Sequence, residues 1–63
     1  MDFKVGQLWK SRNGKFFTIM FVNQGNKFPV TALDEKSRMI RFDKDGFFIN
    51  KEFPHGNDLV EYT

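Results

Sequence analysis

The chain has 63 residues, no cysteine, one histidine and a net charge of +2, and nine phenylalanines accompany Trp9 and Tyr62. One domain over 1–63 is all that length allows, and its core must be dense, because so short a chain buries only about 60% of its unfolded surface. Missing cysteine excludes a disulfide framework and a thiolate metal site. The mild charge excludes an acidic DNA mimic and falls short of a dedicated nucleic-acid binder's basic footprint.

The N-terminal "MDFKVG" reads as a lead-in, either a short strand or a loop. "QLWKS" (7–11) is the first clear strand, with Leu8 and Trp9 on opposite faces. "RNGK" (12–15) turns it, and Asn13-Gly14 predicts a type I′ hairpin with φ > 0 at both residues. "FFTIMFV" (16–22) returns as the longest strand, and "NQGNK" (23–27) is a polar loop. "FPVTAL" (28–33) is the next strand, with Pro29 marking an edge or a strand start.

"DEKS" (34–37) turns into "RMIRF" (38–42), where Ile40 and Phe42 face inward and Arg38 and Arg41 fall on opposite faces. "DKDG" (43–46) is a tight turn with Gly46 at the bulge position, and "FFIN" (47–50) follows as a strand. "KEFPHGND" (51–58) reads as a loop anchored by Phe53, and "LVEY" (59–62) as a last short strand. No segment has helical apolar spacing. The pattern predicts an all-β domain, a five- to six-stranded antiparallel meander closing into a small SH3-like barrel. An open sheet that dimerises through one face is the alternative.

Strand 16–22 breaks the alternation expected of a half-buried strand. Its odd positions are Phe17, Ile19 and Phe21, and its even ones Phe16, Thr18, Met20 and Val22. Both sets are largely apolar. Either a sharply bent barrel strand buries both faces at different points, or Phe16 and Met20, joined by Phe48, form a docking surface.

Motifs of catalysis are missing: there is no phosphate loop, no G-x-S-x-G and no H-E-x-x-H. His55 lies three residues before Asp58, but one histidine in a Pro/Gly loop reads as a turn residue rather than half of a dyad. "DKDG" lacks the later ligands of a calcium loop. The sequence therefore implies no catalytic residue, no metal site and no cofactor. No apolar run reaches the ~20 residues of a membrane span, and the first ten residues have no signal-peptide core. A soluble, cytoplasmic protein is the expectation.

"VGQLWKSRNGKFFTI", "FPVTAL", "DGFFIN" and "NDLVEY" together resemble a type of small protein common in bacteriophage and prophage genomes. The resemblance runs from Val5 to Tyr62. It implies a phage or prophage accessory factor and assigns no site residues. Small phage proteins of this kind commonly bind one host protein.

Two sets of candidate residues result. For docking on a host protein or on a second copy, they are Trp9, Phe16, Met20 and Phe48 as anchors with Arg12 and Arg41 on the rim, the residue types that dominate interface energetics. For single-stranded nucleic acid, they are Trp9 and Phe16 for stacking with Lys10, Arg12 and Lys15 along the backbone.

Overall fold

A computed structural model describes residues 3–49 and 52–63; Met1, Asp2 and Lys51 lie outside the described residues, as does Asn50, the end of the expected 47–50 strand. Five strands form: β1 (Leu8–Ser11), β2 (Phe16–Val22), β3 (Val30–Leu33), β4 (Met39–Phe42) and β5 (Leu59–Tyr62). They make one antiparallel sheet in the order β4-β3-β2-β1-β5. The β1–β5 pairing returns the end of the chain to its beginning, and the ladder is open between β4 and β5.

Three turns share one construction. In each, the fourth residue donates its N–H to the first residue's carbonyl, and the first residue's N–H reaches the fifth residue's carbonyl. Ser11–Lys15, Asp34–Arg38 and Asp43–Phe47 all close this way, at 2.7–3.1 Å. The fourth residues have positive φ: Gly14 (86°), Ser37 (62°) and Gly46 (85°). This is a type I turn followed by a left-handed bulge residue. Asn13 does not take the positive φ that the expected type I′ turn needs. The reason is loop length, since the bulged form places Asn13 inside an ordinary type I turn and asks only Gly14 for the left-handed conformation. The opening side chains cap the loops: the Asp34 carboxylate accepts the Lys36 and Arg38 amides, and that of Asp43 accepts the Asp45 and Phe47 amides.

The two-faced strand resolves into a bulge. Across β2 and β3, Ile19 pairs with Ala32 but Phe21 pairs with Thr31, so Met20 is an extra residue in β2. Such a bulge reverses which parity faces the core. Phe17 and Ile19 point inward, and after Met20 the inward residue is Val22. Phe21 turns outward and is 58% exposed.

The core gathers Phe3, Trp9, Phe17, Ile19, Val30, Ala32, Phe42 and Leu59, with Val22, Ile40 and Phe48 packed against it. Because β4 and β5 at the two sheet edges both send a residue into this one core, the sheet must curl. The Phe17 and Phe42 rings meet edge to face at 5.3 Å, and Phe3 and Trp9 lie 4.5 Å apart. Among the nine phenylalanines, Phe3, Phe17 and Phe42 are buried, Phe28, Phe47 and Phe48 are half-buried, and Phe16, Phe21 and Phe53 are exposed. Six of the nine therefore lie wholly or partly at the surface.

Residues 47–49 do not form the expected strand. Asp43 N–H bonds to the Phe47 carbonyl, which is the first step of a hairpin alongside β4. The next residue able to bond β4 is Ile49, and it makes no main-chain bond to Arg41 among the described residues. The Phe48 amide, which faces away from β4 in such a hairpin, is held at 2.8 Å by Asp58 Oδ1. Asp58 Oδ2 accepts the His55 amide at 2.8 Å and the Arg12 guanidinium at 3.3 Å. Its main-chain carbonyl also accepts the Arg12 amide, and Leu59 N–H bonds to the Gly46 carbonyl. One buried carboxylate thus joins the β4–β5 connection to the first turn. Burial opposes its charge, but the Phe48 and His55 amides and the Arg12 guanidinium outweigh that and hold its carboxyl below the ordinary value of 3.8.

Candidate functional site

Five of the nine exposed large apolar residues lie on or beside the outer face of the sheet, the others being Ile49 and Phe53 in the β4–β5 connection and Val60 and Tyr62 on β5. Strand register sets Leu8 opposite Thr18, Thr18 opposite Leu33 and Leu33 opposite Met39, one row across four strands. A second row runs Phe21, Thr31, Arg41. Val5, Phe21 and Met39 are 66%, 58% and 59% exposed, and Leu8 and Phe16 are exposed to a lesser degree. An open groove on this face is lined by Val5, Phe21, Thr31, Met39 and Arg41, with Asn23 and Asn26 at its end. Arg41 has no ion-pair partner among the described residues, whereas Arg38 beside it is held by Asp34 at 2.9 Å.

The residues expected from sequence are divided by the fold. Trp9 is 7% exposed and belongs to the core. Phe3 and Tyr62 flank its indole at 4.5 and 5.3 Å, and its Nε1–H donates to Gln7 Oε1 at 3.0 Å. No free indole face is left for docking or for stacking on a base. Phe16 lies on the outer face opposite Lys10, with its amide bonded to Glu35 Oε1 at 3.1 Å where β3 has already ended.

Met20 is the half-buried bulge residue. Phe48 packs on the core side, 6.3 Å from the Phe42 ring and 4.6 Å from the His55 ring, so it is no neighbour of Phe16. Arg12 is committed to Asp58, and Arg41 stands in the groove at the opposite end of β2 from Phe16.

Lys10, Lys15 and Phe16 do come together at the first hairpin. Acidic groups stand among them: Glu61 faces Lys10 across β5, and Glu35 reaches the Phe16 amide. The His55 imidazole does not meet the Asp58 carboxylate as a dyad would. It stacks on Phe48, its Nδ1 accepts the Asn57 amide at 3.0 Å, and Asp58 bonds the His55 main chain instead. Among the described residues no group of three or more His, Asp or Glu could hold a metal ion. No helix among them is long and apolar enough to cross a membrane.

Sequence reading missed Val5, Leu8, Phe21 and Met39. The signal for Phe21 was present in the broken alternation of "FFTIMFV", which a bulge explains without burying both faces. Compared with known protein families, curated proteins and solved structures, the chain matches none.

Proposed function

We propose that this chain is a non-enzymatic binding module that docks on another protein through the outer face of its sheet, around Val5, Phe21, Met39 and Arg41. We infer that the curled sheet is an SH3-like barrel, supported by the bond from Leu59 N–H, at the start of β5, to the carbonyl of Gly46 in the turn after β4. The observation that carries the reading is the bulge at Met20. It turns Phe21 outward, while Phe17 and Ile19 before it point into the core, and sets it beside two more exposed apolar side chains and an uncommitted arginine. Exposed apolar clusters with an aromatic and an arginine are what interfaces are made of. The partner is a host protein, the chain being a phage or prophage accessory factor in the host cytoplasm, or a second copy.

A second reading, single-stranded nucleic acid, rests on Lys10 standing opposite Phe16 with Lys15 in the adjoining turn. Burial of Trp9, commitment of Arg12 and the acidic neighbours weaken it.

The test is affinity capture from bacterial lysate, with and without nuclease, for the natural chain and a Phe21→Ser/Met39→Ser variant, alongside sedimentation equilibrium of the purified protein. Docking predicts a nuclease-resistant partner, or a concentration-dependent dimer, lost in the variant while its circular dichroism is unchanged. Association that needs nucleic acid, or survives the double substitution, overturns it.

A further inference from the structure

We propose that the free edge of β4 receives an extended, acidic and apolar segment of the partner protein, which adds to the sheet as a sixth strand antiparallel to Met39–Phe42. This rests on the protein-docking reading and names what occupies the margin of that surface.

In an antiparallel ladder the residues alternate between those that exchange hydrogen bonds with one neighbour and those that face the other. Asp34 bonds to Arg38, and the register from Leu33–Met39 to Val30–Phe42 then directs Ile40 and Phe42 toward β3. Met39 and Arg41 present their N–H and C=O groups to the open side. The segment that begins to cover this edge bonds to it at Phe47, and no main-chain bond between Ile49 and Arg41 follows among the described residues. Among the described residues, two residues of edge are left with two donors and two acceptors, which an extended backbone satisfies and a helix does not.

Side-chain surfaces on both faces of the edge fit a strand. Beneath it is a hollow lined by Phe28, Ile40 and Phe48, with Met39 and Arg41 at its mouth. Above it lies the groove with Phe21 and Met39. An incoming residue opposite Ile40 would direct its side chain to the hollow, and its two neighbours would lie over Met39 and Arg41.

Charge selects the partner. Along this hairpin four bases, Lys36, Arg38, Arg41 and Lys44, are matched in number by four acids, Asp34, Glu35, Asp43 and Asp45, so the selection falls to Arg41 alone. Asp34 answers Arg38, while the Asp43 carboxylate is occupied by main-chain amides. The uncommitted guanidinium of Arg41 favours a carboxylate opposite it. Antiparallel addition therefore specifies the order acidic, apolar, apolar, facing Arg41, Ile40 and Met39.

The test is an NMR titration of the full chain with the blocked peptide acetyl-Ser-Thr-Glu-Val-Leu-Thr-Ser-amide. The Met39 and Arg41 amides should shift and gain exchange protection. N-methylation of the peptide's Glu and Leu, whose amides face β4, should weaken binding at least tenfold; N-methylation of its Val, which faces away, should leave it within twofold. Replacing the peptide's Glu by Lys should also cost tenfold, and Arg41→Glu in the protein should reverse that preference. No binding at millimolar peptide, or binding indifferent to N-methylation, overturns the edge assignment. If that happens while Phe21→Ser/Met39→Ser still abolishes capture of a protein partner, the docking reading stands without it; if capture is also unaffected, both fall.

Discussion

The Asp58 carboxylate accepts the Phe48 amide at 2.8 Å, ten residues back along the chain, while its other oxygen takes the His55 amide and the Arg12 guanidinium. This one side chain, 1% exposed, fastens both ends of the long β4–β5 connection to the first turn. Asp58→Asn keeps the shape but sets an NH₂ group against main-chain donors. Chemical denaturation should show a loss of about 2–3 kcal/mol.

The same carboxylate gives the fold an acid limit. Its folded pKa lies below the ordinary 3.8, so the unfolded chain binds its proton more readily. The stabilisation is fully present above the ordinary value and is lost as the pH falls through the lower folded one. Denaturation midpoints followed from neutral pH downward should decline across that window, and Asp58→Asn should flatten the decline. An unchanged slope would remove Asp58 as its source.

The three bulged turns differ in what their fourth residue meets, and the substitutions should separate accordingly. A Cβ at Gly14 has nothing within 4 Å, so Gly14→Ala should lose only the left-handed preference, about 1–2 kcal/mol. A Cβ at Gly46 would lie 2.7 Å from Phe3 Cζ and 3.2 Å from the Leu59 carbonyl oxygen. Gly46→Ala adds that overpacking and should cost about 2–5 kcal/mol. Ser37 already has φ 62°, so Ser37→Gly should be stabilising by about 0.5 kcal/mol, the relief of strain exceeding the gain in unfolded-chain entropy. Thermal melts of the three variants check the order.

Trp9 joins the chain ends, wedged between the Phe3 and Tyr62 rings. Trp9→Ala should cost about 3–5 kcal/mol, comparable to the whole stability of a domain this small, and unfold it. Folded Trp9→Ala protein that had merely lost its partner would return Trp9 to the surface.

Local grammar carried far into this fold. Strands 16–22 and 59–62 coincide with β2 and β5, and all three bulged turns fall where Asn-Gly, Asp-Glu-Lys-Ser and Asp-Lys-Asp-Gly stand. Relationships across distant sequence were not legible. The strand at 47–50 reads well by propensity, but nothing local announces that the pairing begun at Asp43–Phe47 goes no further among the described residues. Trp9 reads as an anchor because aromatics dominate interface energetics. Its burial depends on Phe3 below it and Tyr62 brought alongside by the β1–β5 pairing. At the candidate site, Phe16 and Arg41 lie on the outer face, while Phe21 is grouped with Phe17 and Ile19 by an alternation that the extra residue at Met20 interrupts.

That interruption is the foundation of the docking surface, and the cysteine-free sequence gives it a clean measurement. Ile19→Cys and Phe21→Cys, each introduced singly and kept under conditions where circular dichroism shows the fold, are timed against a thiol reagent. Unbroken alternation would put both thiols on one face and protect both. A bulge at Met20 predicts that Phe21→Cys reacts at close to the rate of a free thiol while Ile19→Cys is strongly protected. Equal protection of the two would contradict it.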